Sequence, residues 1–339
     1  MDRLERQMLQ TLKAGPLSVY RLLDAQDGTL PEFFERLQGL QRRGWIVVED
    51  GQARLTPAGQ EAAAALVHAG PLRCSHCEGT GYVLSPFFRR VLEAYRGLIA
   101  DRPQAIERYD QGYISPEGVV RRVAFMYERG DLYGDIFIVG DDDLLSLAAA
   151  LTGLPRRIVV VDIDERLITF LNRLAQAQGF PIEAQVYDVQ QAFPDAWRGQ
   201  FDVFVTDPVE TVPGLELFLS RGVSTLRGVG SAGYFGLTTL EASRRKWYTI
   251  QRMIHEMGLV ITDIRRQFNV YPDEGESNFF RYQEKLPIVQ KLGATVDYDW
   301  YKSSLYRLEA VEPPRPRVEG ARIIDERVYK DDESWATPY

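Results

Sequence analysis

Four strand-like runs in this 339-residue chain end in aspartate. Ile136-Phe137-Ile138-Val139 is followed by Gly140 and then by Asp141, Asp142 and Asp143. Arg157 to Val161 runs into Asp162, Ile182 to Tyr187 into Asp188, and Phe201 to Thr206 into Asp207. One aspartate in such a place is commonly a helix cap. Four in succession, the first tripled, point instead to a shared ligand, because parallel strands open onto their ligand crevice at their carboxyl ends. An acid ending the second strand is placed to accept both hydroxyls of a nucleoside ribose, which assigns Asp162. Asp164, two residues on, reads as the cap of the next helix. Asp188, ending the third strand, is placed to accept from the exocyclic amine of adenine. Asp207-Pro208-Val209-Glu210 sets two carboxylates three residues apart, suited to a proton acceptor and an amine anchor, or to a helix-entry turn.

The first of these turns sets the charge of the ligand. A loop that wraps a nucleotide there normally carries several glycines, and this one has Gly140 alone with three carboxylates behind it. Such a loop repels phosphate and carboxylate and suits ammonium groups. Dinucleotides and ATP are therefore poor candidates, and S-adenosylmethionine fits less well than its decarboxylated, dicationic form. Gly140, Asp162 and Asp188 are the expected donor-binding residues. Within Gly233-Tyr234-Phe235-Gly236, the two aromatics are candidates to line a channel for a polycation, with cation–π contact to its ammonium groups; core packing is the alternative. Three histidines, His68, His76 and His255, offer little for a His-rich metal site or a Ser-His-Asp relay.

Positioning these residues takes strands alternating with helices over residues 113–311. Helical spacing is present from about Leu144 to Leu151, through Leu167, Phe170, Leu171 and Leu174, and from about Glu241 to Met257. Further strands are expected at Ser231 to Leu237, Leu259 to Ile264 and Ser303 to Leu308. The alternation predicts an α/β fold with a Rossmann-like, class I methyltransferase-like doubly wound parallel sheet. Residues 1–68 read as a small winged-helix-like domain: three helices, a hairpin around Glu49-Asp50-Gly51-Gln52, and a closing helix from Thr56-Pro57 to about His68. Eight basic and nine acidic side chains there make a net of −1, which favours dimerisation or substrate covering over DNA binding.

Residues 69–112 form a linker with a helix and a C-x-x-C pair, Cys74 and Cys77, around His76. This is half a zinc site; two reduced thiols are the plainer reading, with a zinc shared across a dimer or a disulfide as alternatives. The tail, residues 312–339, is proline-rich and then acidic, which predicts flexibility in the free protein or an acidic strand that attracts a polycation. Forty basic against forty-eight acidic residues give −8, which argues against a general nucleic-acid binder. No membrane span or signal-peptide core is expected, and two cysteines suit a reducing cytoplasm.

Taken together, EGVVRRVAFMYERGDL, IVGDDDLLSL, VVVDIDERL, FDVFVTDPVET, GYFGLTTLEAS and ITDIRRQFNVY make the chain resemble the branched-chain polyamine synthase family of thermophilic archaea and bacteria. The resemblance implies a homodimeric aminopropyltransferase. It would move the aminopropyl group of decarboxylated S-adenosylmethionine, a co-substrate rather than a cofactor, to the central secondary amine of spermidine. The products would be N4-aminopropylspermidine, N4-bis(aminopropyl)spermidine and 5′-methylthioadenosine, with no metal required. The chain is more distantly similar to linear spermidine synthases, whose Gly-Gly-Gly-Asp loop corresponds to Gly140 to Asp143 and whose Asp-x-x-Asp pair corresponds to Asp207 and Glu210. On that basis the catalytic carboxylate is Asp143 or Asp207, which spacing alone cannot separate, and the polyamine is held by Asp141, Asp142, Glu210 and Tyr234. Two alternatives stand beside this reading. One is an S-adenosylmethionine-dependent N-methyltransferase, although Glu210 occupies the place of the aromatic in the Asp-Pro-Pro-Tyr loop of amino-methylating enzymes. The other is a winged-helix, ligand-responsive regulator, against which the −1 charge counts.

Overall fold

A computed structural model describes residues 1–70, 72, 74–77, 79–272, 283–323 and 325–336. The chain opens with α1 (Arg3–Leu12), β1 (Leu17–Ser18), α2 (Val19–Asp24) and α3 (Leu30–Arg42), then the hairpin of β2 (Ile46–Glu49) and β3 (Gln52–Leu55), and α4 (Pro57–Ala62). Capping boxes start α1 (Asp2 with Glu5) and α3 (Thr29 with Glu32), so both helices have their first N–H groups satisfied locally. Helix α4 stops at Ala62, short of the expected His68, where the Lys13 ammonium takes the Ala63 carbonyl at 3.1 Å. This small unit sits against the rest of the chain through Leu30 N–H to the Leu240 carbonyl (2.8 Å) and an Asp27–Arg244 ion pair (2.8 Å).

After α5 (Pro86–Leu98) and α6 (Pro116–Glu128), strands and helices alternate: β4 (Asp135–Val139), α7 (Leu145–Ala150), β5 (Arg157–Asp162), α8 (Glu165–Gln178), β6 (Ile182–Val186), β7 (Val203–Thr206), α9 (Val212–Thr225), β8 (Ala232–Leu237), α10 (Arg244–Glu256), β9 (Leu259–Val270), α11 (Pro287–Leu292) and β10 (Lys302–Ala310). Seven strands form one sheet in the order β6-β5-β4-β7-β8-β10-β9. The five from β6 to β8 are parallel, whereas β10 runs antiparallel to both of its neighbours, so the sheet is mixed and not parallel throughout. Strand order reverses between β4 and β7, which makes the crevice above their carboxyl ends the expected ligand site.

Alternation along the strands fills two cores, as a sheet covered on both faces requires. Ile136, Ile138, Ile158 and Val160 pack with the apolar faces of α5 to α8, while Phe137, Val139, Val159 and Val161 pack with Tyr187, Phe193, Trp197 and Phe201.

The tail departs from the expected disorder. The fully buried Arg221 donates to the carbonyls of Val318 (2.9 Å), Glu319 (3.2 Å) and Gly320 (2.9 Å), and α12 (Glu326–Tyr329) lies against α9. Farther on, Asp331 pairs with Lys246 Nζ at 2.7 Å, and the Glu333 carboxylate accepts from Ser243 N–H and Oγ–H at 2.6 and 2.7 Å. Two of the acids expected to draw in a polycation therefore anchor the tail to α10. Cys74 is exposed and Cys77 buried, and both are free thiols. Among the described residues no helix is long and apolar enough to cross a membrane.

Candidate active site

Gly140 leaves β4 with φ +75°, a left-handed conformation that costs glycine little, and its N–H donates to the Val161 carbonyl at 2.8 Å. The three acids that follow then take three different positions. Asp141 turns inward and accepts from the Ser146 N–H (3.3 Å) at the start of α7; burial pushes its carboxyl up to about 8. Asp142 faces the cavity and accepts from the Gly112 N–H at 3.1 Å, with burial and then Asp143 holding its proton far above the usual carboxylate range. Asp143 points the other way. Its Oδ1 accepts from the Ile114 N–H (2.8 Å), its Oδ2 pairs with Arg122 Nη1 (3.0 Å), and its carboxyl is pushed up to about 6 by burial against the opposing pull of Arg122.

One cavity runs along the strand ends from β6 to β7. At one end it is lined by Asp162 and Asp188, with Val161, Ile163, Val189 and Phe218 as apolar neighbours. Asp162 is oriented by two backbone donors, Asp141 N–H at 3.1 Å and Asp164 N–H at 2.8 Å, and burial raises its pKa. Asp164 caps α8 through Arg166 N–H, as its spacing predicts. Asp188 accepts from Gln190 N–H at 2.9 Å. Two acids beside an apolar lining suit a nucleoside.

At the other end stand Asp207 and Glu210. Helix α9 is capped by Thr211, so neither carboxylate is taken up by helix entry. Asp207 Oδ2 accepts from Arg122 Nη2 (2.8 Å) and the Tyr271 hydroxyl (3.2 Å), and Oδ1 lies against Gly236, where an added Cβ would come within 2.0 Å of it. Glu210 accepts from Thr238 N–H at 2.7 Å and from the Tyr301 hydroxyl at 3.1 Å, and that hydroxyl also meets Glu241 at 3.1 Å. Burial first, and then the neighbouring Glu241 carboxylate, hold Glu210 well above the ordinary range. Asp110 completes the acidic wall from the far side; burial and Glu241 push its carboxyl up to about 7. Tyr109, Tyr271, Tyr301 and Tyr329 stand among these acids, and Arg108 is the one cationic residue lining the cavity among the described residues.

Of the expected site residues, Gly140, Asp142, Asp162, Asp188, Asp207 and Glu210 are brought together around this space. Asp141, Asp143 and Tyr234 are not. Asp141 is held by its own helix and Asp143 by Arg122, while Tyr234 is buried in β8 with its hydroxyl donating to Asp131. Of Gly-Tyr-Phe-Gly, the last glycine and not the aromatics meets the site: Gly236 admits Asp207, while Gly233 clears the Phe204 ring in the core. Sequence reasoning missed Asp110, Arg122, Glu241, Tyr271, Tyr301 and Tyr329. Arg122, Glu241 and Tyr271 lie within segments that carry the family resemblance, so part of the signal was present.

Comparison with known proteins gives a consistent result. The family model described as the branched-chain polyamine synthase A C-terminal domain matches residues 90–336. The N(4)-bis(aminopropyl)spermidine synthase of Thermococcus kodakarensis is 39% identical, over 99% of this chain and 95% of its own. The enzyme of that name from Thermus thermophilus is 42% identical over 84% of this chain and 80% of its own. A crystal structure of the Thermus thermophilus branched-chain polyamine synthase, a C9 mutein in complex with N4-aminopropylspermidine and 5′-methylthioadenosine, superposes with a TM-score of 0.86. It is 38% identical, covering 99% of this chain and 93% of that one.

Proposed function

The chain belongs to the branched-chain polyamine synthase family, and from that premise we propose that its cavity transfers aminopropyl groups from decarboxylated S-adenosylmethionine to the central amine of spermidine. The observation that carries this reading is the lining itself. An apolar end with Asp162 and Asp188 opens onto a wall of Asp110, Asp142, Asp207 and Glu210. The first end suits the adenosine of the donor, with Asp162 on the ribose and Asp188 on the adenine amine. The second suits ammonium groups, and the tyrosine faces among its acids add cation–π contact.

The acceptor amine has an unperturbed pKa of about 10 and must lose a proton before it reacts. Asp207 is the group we assign as acceptor of that proton. Asp143 becomes its support, because Asp143 lies behind Arg122 and does not line the cavity. The freed nitrogen lone pair then forms a bond to the methylene beside the sulfonium. The carbon–sulfur bond breaks, its electron pair stays on sulfur, and neutral 5′-methylthioadenosine leaves. Holding both cations in line is most of the protein's task. A second round on the tertiary product needs the same freeing of the lone pair and gives a quaternary nitrogen.

The finer assignments belong to the same reading. Residues 1–68 are a winged-helix-like unit that serves dimerisation or substrate covering and leaves nucleic acid alone, given their −1 charge. The enzyme is a cytoplasmic homodimer; Val67, Leu72 and Val83 stand exposed at and beyond the end of this unit and support a partner surface there, which light scattering tests.

The deciding experiment is mass spectrometry of products after incubation with spermidine and either sulfonium donor. Aminopropylated spermidine and methylthioadenosine are expected with decarboxylated S-adenosylmethionine, and little product with the carboxylated form. Methylated amine, or comparable turnover with both donors, overturns the assignment in favour of an N-methyltransferase.

A further inference from the structure

Arg122 is a buried cation behind the acidic wall of a cavity suited to cations, and a charge so buried needs partners that offset its desolvation. Its guanidinium reaches three partners: Nε donates to Asn269 Oδ1 at 2.8 Å, Nη1 to Asp143 Oδ2 at 3.0 Å and Nη2 to Asp207 Oδ2 at 2.8 Å. Asn269 in turn donates to Ser303 Oγ at 2.9 Å, Ser303 Oγ lies 3.3 Å from the Tyr271 hydroxyl, and that hydroxyl donates to Asp207 Oδ2 at 3.2 Å. The bonds close a ring, Arg122–Asn269–Ser303–Tyr271–Asp207, drawn from α6, β9, β10 and the ends of β9 and β7. Both ring donors to Asp207 land on Oδ2. Oδ1 has no donor among the described residues.

Resting on the aminopropyl-transfer reading, we infer that Arg122 is a positioning residue that fixes Asp207 by its Oδ2, sets a positive charge beside that carboxylate and reserves its Oδ1 for the proton of the acceptor amine, with Asp143 as the internal counter-charge of the guanidinium. The fork geometry matters as much as the charge. A planar guanidinium holds two carboxylates and an amide at once, which an ammonium on a flexible stem does not. Asp143 fits the role of counter-ion: buried and lining no cavity, it cannot compete with Asp207 for the amine. Loss of the cation would leave Asp143 buried without its counter-charge and Asp207 without the donor that fixes its Oδ2.

The charged and titratable groups facing this ring are Asp142 on the β4–α7 turn, Tyr95 on α5, Arg102 beyond it and Tyr271 after β9. Both Arg122 variants leave all four in place, so a profile that shifts between them reports on Arg122 itself, and Tyr271→Phe tests the one ring member of this set separately.

The test measures kcat and KM against pH for Arg122→Gln, Arg122→Lys and Tyr271→Phe, with wild type alongside. For Arg122→Gln the acid limb of the kcat profile is expected to move up by at least about one pH unit, a tenfold loss at a fixed pH on that limb. Activity should recover in part toward pH 9. Arg122→Lys should keep the limb near its wild-type place and still lose kcat, because the charge remains and the fork does not. Tyr271→Phe, which opens the ring without touching a charge, should lower kcat with the limb moved less than in Arg122→Gln. If Arg122→Gln does not fold, the contrast between the other two variants decides. An unmoved limb in Arg122→Gln with only a lowered unfolding midpoint overturns the inference, as does a limb that moves equally in Arg122→Lys. Wild type that forms no aminopropylated product fails the parent reading instead, and the two failures are distinct.

Discussion

Strands β4 and β7 lie side by side, parallel, with Val139 opposite Thr206, and each ends in a turn rich in carboxylates. From their residue types the two turns look alike, yet they do different work. The Asp141–Asp143 turn is mostly committed inward: Asp141 holds Ser146, Asp143 holds Ile114 and Arg122, and Asp142 alone faces the cavity. The Asp207–Glu210 turn presents both of its acids to the cavity and leaves helix capping to Thr211. The difference lies in which donors reach each carboxylate. Segment 112–114 and the start of α7 bring backbone N–H groups to the first turn, while two tyrosine hydroxyls and the Thr238 N–H reach the second, and Arg122 joins one acid of each. A triple acid is thus mostly turned into the scaffold and a spaced pair turned toward the cavity, the reverse of what the density of charge suggests.

The largest effect should come from Asp207→Asn. Loss of the proton acceptor lowers kcat by about 10²- to 10⁴-fold, with a smaller fall in the unfolding midpoint than Asp143→Asn because Asp207 is part-exposed where Asp143 is buried, measured by product mass spectrometry and thermal unfolding. Near-normal kcat would move the chemistry back to the first turn and erase the contrast. Asp143→Asn should show the opposite balance. Removing one member of a buried ion pair costs about 3 kcal/mol of stability, read by chemical denaturation, and kcat should fall less than in Asp207→Asn. A full loss of turnover with unchanged stability would make Asp143 the catalytic group after all.

The smallest effect on turnover belongs to Asp141, whose signature is a pH-dependent stability. An unfolded aspartate ionises near about 3.9, whereas burial holds Asp141 at about 8. Between those values the folded chain keeps a proton that the unfolded chain has lost. The stability from this group is therefore full at low pH and drains away as pH rises toward 8, by at most about 1.4 kcal/mol per pH unit. Asp141→Asn, which retains an acceptor for Ser146 N–H, should flatten the fall of stability between pH 5 and 8 and leave KM for spermidine almost unchanged. Parallel stability curves for variant and wild type, or a large rise in KM, would put Asp141 in contact with the amine.

Much of the fold could be read from residue order because it rests on short-range regularities. Short continuous apolar runs became β4, β5 and β7, helical spacing became α8 and α10, and local capping chemistry marked Thr56 and Asp164. The strand-end position of the acids followed from the same regularities, and with it the place of the site. Local pattern could not decide which way a carboxylate turns once past its strand. Asp142 and Asp143 are neighbours in sequence and point to opposite sides, because Gly112, Ile114 and Arg122 arrive from segments far away in the chain. Tyr234 sits in a strand buried on both faces, so its aromatic ring packs in the core while the flanking glycines make room for Phe204 and Asp207. The tail was misjudged for a related reason: its composition predicts disorder, but Arg221 and Lys246, more than 80 residues upstream, supply the partners that order it. Residue order set the elements and the chemistry available at their ends. Tertiary contact decided which of those groups meets the ligand, because a side chain's orientation at a turn depends on partners that only the assembled fold brings within hydrogen-bond reach.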